Sequence, residues 1–119
     1  MKIAFTTAGE SLEAALDSRF GRAPKFLIYE TDDGSYIIID NEQNLNAAQG
    51  AGIQAAQSVI KAGALAVVTG HCGPKAFKVL SAGGVTIYNS TAPTIISALV
   101  EYTNGKLAPL SSANAEAHW

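Results

Sequence analysis

The chain has 119 residues, 48% of them hydrophobic, a net charge of −2 and a single cysteine. That length and composition fit one compact domain with a true apolar core, and one cysteine excludes an internal disulfide. The slight negative charge gives no electrostatic basis for a nucleic-acid partner, which usually leaves a basic footprint. The apolar runs are too short for a membrane span or a signal peptide. The expectation is therefore a cytoplasmic protein with no membrane partner, its thiol kept reduced.

The opening run "KIAFTT" (2–7) is rich in β-formers and ends in the turn residues "AGES", so it reads as a first strand. "KFLIYE" (25–30) and "SYIIID" (35–40) follow, joined by "TDDG". Asp33-Gly34 is a strong hairpin pair, which makes the second strand antiparallel to the third. From 46 to 64 the period changes. Ile53, Ala56 and Ile60 fall on one helical face, with Gly63 as a C-terminal stop.

"LAVVT" (65–69) is a nearly uniform apolar run, expected of a strand covered on both faces. Pro74 suits the first turn of the next helix, "KAFKVLSA", which Gly83-Gly84 ends. "VTIYN" (85–89) is a fifth strand, and "APTIISALVEY" (92–102) a last helix with Ser90 or Thr91 near its cap. Residues 1–103 thus form a single α/β domain, and 104–119 an irregular, flexible tail.

The order β-β-β-α-β-α-β-α predicts a five-stranded mixed sheet, 3-2-1-4-5, with strand 2 antiparallel and helices on both faces. Strands 1 and 4 then lie side by side where the chain reverses its direction of growth, and loops leaving such a point open a crevice. Loops 7–24, 41–50 and 70–74 share that edge.

In "TGHCGPKAF" (69–77), Gly70 and Gly73 permit backbone angles closed to other residues and a close approach to a ligand. The helix after Pro74 offers N–H groups and the positive end of its dipole. A thiol there is expected to have a lowered pKa, and His71 and Cys72 are both competent metal ligands. The alternative is a tight turn with Cys72 packed as a small apolar side chain. A P-loop is excluded because Pro74, not glycine, precedes Lys75; a thiol-phosphatase loop would need arginine where Lys78 stands.

Across the crevice, "SRFGRAPKF" (18–26) brings Arg19, Arg22 and Lys25 together, three of the chain's eight basic residues. Both guanidinium groups can turn to one anion. The alternative is a solvated basic loop. The third loop carries Asn41, Gln43, Asn44, Asn46 and Gln49, then Gly50-Ala51-Gly52. No carboxylate pair suits acid–base work, and His118 in the tail is expected to be idle.

Together, "SRFGRAPKFLIYE", "QGAGIQAA" and "VVTGHCGPKAFKVLSAGGVTIYN" resemble the dinitrogenase iron–molybdenum cofactor biosynthesis family, over residues 1 to about 103. The resemblance implies a ribonuclease H-like fold. It implies small carriers or chaperones for iron–sulfur and molybdenum-containing clusters, one holding a molybdenum–copper sulfide cluster without covalent attachment. It does not imply nuclease chemistry, because the first strand lacks the acidic residues that two metals require.

Carried onto this chain, the resemblance implies a non-catalytic, nitrogen-fixation-related binder of an anionic metal–sulfur cluster, of iron–sulfur, iron–molybdenum or molybdenum–copper sulfide type. Arg19, Arg22 and Lys75 would balance its charge, and amides at 70–73 would donate to sulfides. Phe20, Gly21, Gln49, Gly50, Thr69, Gly70 and Gly73 would complete the lining, and His71 or Cys72 would ligate one metal. A cluster-donor or acceptor protein would be the partner. Two other readings stay open: an enzyme with Cys72 as nucleophile, and a protein–protein adaptor with an incidental crevice.

Overall fold

The computed structural model describes residues 1–45 and 50–114. Its five strands are β1 (Lys2–Thr7), β2 (Lys25–Glu30), β3 (Tyr36–Asp40), β4 (Ala64–Thr69) and β5 (Thr86–Asn89), in the order β3-β2-β1-β4-β5. β2 runs antiparallel to β1 and β3, whereas β1 is parallel to β4 and β4 to β5. This is the mixed α/β sheet expected from the sequence. The helices are α1 (Glu42–Leu45), α2 (Ala51–Lys61), α3 (Pro74–Ala82) and α4 (Ile95–Thr103).

Strand alternation sends neighbouring side chains to opposite faces, and both faces are covered. Ala4, Ile28 and Val67 pack with Ala55, Val59 and Leu80 of α2 and α3. Ile3, Phe5 and Val68 pack with Ile95, Ala98 and Leu99 of α4. Gly34 makes the expected hairpin turn at φ 77°, and Asp33 Oδ1 accepts from the Ser35 amide at 3.0 Å.

Two local expectations need correction. The buried face of α2 is Ala51, Ala55, Ala56 and Val59, so of the expected Ile53, Ala56 and Ile60 only Ala56 is fully buried. Small residues win there because α2 lies close on α3: a Cβ at Gly52 would stand 3.2 Å from Ala76 Cβ. The isoleucines sit at the margin, half-buried.

The last helix starts later than expected, after Thr94. Thr94 Oγ1 accepts from the Ser97 amide at 3.2 Å, and Ser97 Oγ accepts from the Thr94 amide at 3.1 Å. This reciprocal capping box outcompetes Ser90 or Thr91 as a start. Ser90 Oγ instead donates to Glu101 at 2.6 Å.

The segment after α4 is irregular, but its described part is tied down. Pro109 bridges Tyr88, and the Leu110 amide donates to the Ile87 carbonyl at 2.8 Å. Among the described residues no helix is long and apolar enough to cross a membrane.

Thr94→Ala should cost about 1 kcal/mol of stability. In urea the unfolding midpoint should fall with the slope unchanged, and an unmoved midpoint would show the cap to be idle.

Candidate functional site

Because β1, β3, β4 and β5 point the same way, their C-terminal ends open on one edge. The loops after β1, β3 and β4 meet there, as expected. The loop after β5 joins them, which was not foreseen. Parallel pairing with β4 was the available signal, since it forces β5 to end at the same edge.

The arginine loop does not face loop 70–74 across an open crevice; it docks on it. Arg19 and His71 form a parallel bridge, and the Phe20 amide donates to the His71 carbonyl at 3.0 Å. A Cβ at Gly70 would lie 2.7 Å from the Ser18 carbonyl oxygen and 2.8 Å from Ser18 Cα. Gly70 is therefore needed for space, and what approaches it closely is this chain's own backbone rather than a ligand. Neither Gly70 nor Gly73 adopts positive φ.

Several expected lining residues lie beneath this contact. Phe20 is 1% exposed and packs on Phe26 with ring centroids 5.3 Å apart. Thr69 is fully buried, its Oγ1 2.9 Å from Thr6 Oγ1, which stands 2.6 Å from the Asp17 carbonyl oxygen. Gly21 is buried as well. Phe20, Gly21 and Thr69 form the frame of the site.

Cys72 is fully buried in the core cluster that α2 and α3 cover. Desolvation disfavours the thiolate, and burial pushes this thiol up to about 12. The expected lowering fails because Cys72 is packed in the apolar cluster, where its Sγ donates to the Gly73 carbonyl at 3.7 Å and meets no cation among the described residues. Its amide donates to Asn114 Oδ1 at 2.7 Å, and its carbonyl accepts from the Asn114 amide at 3.1 Å. Among the described residues no group of three or more His, Cys, Asp or Glu side chains could hold a metal ion.

At the surface the picture is different. Residues paired across a bridge project to the same side, about 4.8 Å apart, so the exposed Arg19 and His71 stand together. Arg19 is half exposed, its Nε 3.8 Å from Asp17 Oδ1. Lys75 is exposed in the first turn of α3, and Arg22 is half-buried. Lys25 is held by Glu10 at 2.6 Å.

Gly50 precedes α2 at φ 86°, a left-handed conformation that glycine adopts without strain. Gly73 precedes α3. Among the described residues neither helix has a side-chain cap, and neither has an acidic residue in its first turn. Their first turns touch, as the Gly52–Ala76 approach requires. Two positive helix ends with uncapped amides thus lie side by side. Gln49, expected to line the site, lies outside the described residues.

The described start of the loop after β3 is braced rather than open. Asn41 Nδ2 donates to the Ala23 carbonyl at 2.7 Å and Asn44 Nδ2 to Asn41 Oδ1 at 2.7 Å. On the other flank of His71, a cleft of about 230 Å³ is lined by Leu16, Ser18, Asn89 and Thr91 among others. Asn89 Nδ2 donates to the Gly70 carbonyl there.

Native Cys72 should react far more slowly with a thiol reagent at pH 8 than it does in the unfolded chain; equal rates would contradict its burial. Its raised folded pKa also fixes a sign. Between the unfolded value, near 9 for an ordinary thiol, and about 12, the unfolded state has lost a proton that the folded state keeps. The contribution of Cys72 to stability is therefore complete below that window and is lost as pH rises through it. In Cys72→Ala this part of the alkaline decline should disappear, as pH-dependent urea titrations would show.

Residues 1–105 match the sequence model of the family described as dinitrogenase iron-molybdenum cofactor. The fold is similar to the apo form of the orange protein from Desulfovibrio gigas, at 33% identity, TM-score 0.93 and 96% coverage of each chain. A protein from Thermotoga described as a candidate NifB protein is similar at 28% identity and TM-score 0.84, covering 96% of this chain and 97% of that one. An uncharacterized protein of Methanocaldococcus jannaschii is 30% identical over 95 residues, which are 77% of this chain and 80% of its own.

Proposed function

The chain belongs to the dinitrogenase iron-molybdenum cofactor family, and from that premise we propose that it is a non-catalytic carrier of an anionic metal–sulfur cluster. The cargo is an iron–sulfur cluster, an iron–molybdenum precursor or a molybdenum–copper sulfide. It is held by charge and amide donors rather than by protein thiolate. A lone, buried thiol is at home in a reducing cytoplasm, where we place this carrier, receiving from or delivering to a second protein.

The observation that carries this reading is the pair of helix ends at Gly50 and Gly73, without a side-chain cap among the described residues, with Lys75 in the first turn of α3. Each helix end stabilises an anion by about 1 kcal/mol, up to about 2 when partly buried. Micromolar holding needs about 8 kcal/mol. The remainder has to come from cations and charge-assisted hydrogen bonds at about 1.5–3 kcal/mol each. Lys75, Arg19, Arg22 and His71 are the groups assigned to supply it.

The donor set favours non-covalent holding. With Cys72 buried and pushed up to about 12, neither a resting thiolate ligand nor an activated nucleophile fits this chain. His71 is the one named metal-ligand candidate left at the surface, and a single imidazole does not close a cage.

Anaerobic addition of tetrathiomolybdate with copper(I), or of iron with sulfide, should give a stoichiometric coloured complex. Arg19→Glu with Lys75→Glu should weaken it at least tenfold, whereas Cys72→Ala should leave it intact. A chain that stays colourless with every mixture, or a complex indifferent to the double charge reversal, would overturn the reading.

A further inference from the structure

The match to the family ends at residue 105, yet the described chain continues to Asn114 and returns to the edge where β4 ends. Residues 105–114 run from the end of α4 along β5, fastened by the Leu110 amide on the Ile87 carbonyl and by the Tyr88–Pro109 bridge. The segment ends on loop 70–72 in three hydrogen bonds. Asn114 Oδ1 accepts from the Cys72 amide at 2.7 Å, Asn114 Nδ2 donates to the Gly70 carbonyl at 3.1 Å, and the Asn114 amide donates to the Cys72 carbonyl at 3.1 Å. The donor and acceptor pattern of the loop admits only this orientation of the carboxamide.

We propose that residues 105–114 form a displaceable latch, in which Asn114 Oδ1 occupies the Cys72 amide until an anionic ligand of the adjacent helix ends takes its place. The proposal rests on the carrier reading above and names the device that regulates the same site. Cys72 is the residue just before the Gly73 cap of α3, so its amide belongs to the same array of donors. Asn114 is exposed although it covers a buried residue. The Asn114 end therefore lies on the outside of the site and can leave without disturbing the fully buried core, and full release lifts only Leu107 and Leu110, which pack half-buried against it.

An amide oxygen is a neutral acceptor. An anion at the same donor makes a charge-assisted bond roughly twice as strong. Holding the segment in place also costs the conformational entropy of its ordered residues, which offsets much of what three neutral bonds contribute. A multiply charged ligand can win this competition, whereas water, another neutral acceptor, gains little by it. The carbonyl of Gly70 stays held after release, because Asn89 Nδ2 donates to it independently.

The test uses tetrathiomolybdate as probe on three chains: the full chain, Asn114→Ala, and a chain ending at Ala113. Both altered chains should bind the probe about tenfold more tightly, the scale of one or two net hydrogen bonds. In the unaltered chain, saturating probe should speed tryptic cleavage after the exposed Lys106 several-fold, read by mass spectrometry. This second readout needs no variant to fold. Equal or weaker binding by both altered chains, or cleavage slowed by the probe, overturns the latch and leaves the anion site standing. Binding by none of the three, with no coloured complex from any of the cluster mixtures above, overturns the carrier reading and the latch together.

Discussion

The edge of this molecule depends on how closely one piece of backbone lies on another. Gly70 follows β4 with no side chain because Ser18 occupies the place a Cβ would take. That approach lets the Arg19–His71 bridge form and fixes the Phe20 amide on the His71 carbonyl. Phe20 then closes the core beneath, on Phe26. The docked loops set the direction of Gly73 and hence the entry of α3, and α3 carries its first turn against that of α2. A Cβ at position 70 must either push the two segments apart or distort the end of the strand, and a well-packed site resists both.

The same contact separates two kinds of chemistry that the sequence places side by side. Cys72 and His71 are neighbours in the chain, but alternation about the bridge sends His71 outward and Cys72 into the cluster under α2 and α3. The outward set is cationic or hydrogen-bond donating. The inward set is apolar, and the thiol within it is held protonated. On the proposed reading, a soft, multiply charged anion would meet the first set without reaching the second. Attraction of this kind is reversible, which suits a carrier better than thiolate ligation does.

Much of the fold was legible because its signals are local. The Asp33-Gly34 turn, the uniform run before Thr69 and the Pro74 start of α3 each carry their own cause, and together they dictate the sheet order. The resemblance of three segments to a family was legible for the same reason. What the sequence could not display is which side of a contact a residue serves. Gly70, Phe20 and Thr69 carry the motif, yet a glycine needed by Ser18 and one needed by a ligand read alike. On α2 only Ala56 of the expected face is fully buried, because bulk in the sequence points to the isoleucines whereas close helix approach selects small residues. Thr94 was overlooked as a cap because its partner is Ser97, where a capping box usually has a glutamate or glutamine. Asn114 is 42 residues from Cys72, and no short motif announces so distant a hydrogen bond.

The measurement that bears most directly on this organisation is the binding of tetrathiomolybdate to Gly70→Ala, set beside its unfolding in urea. Loss of about 1–3 kcal/mol of stability with circular dichroism preserved is the expected cost of forcing a methyl group against Ser18. If the docked loops orient the binding groups, affinity should fall at least tenfold in the same folded protein. A folded Gly70→Ala chain that binds as tightly as the unaltered one would show that the contact at the end of β4 does not organise the site.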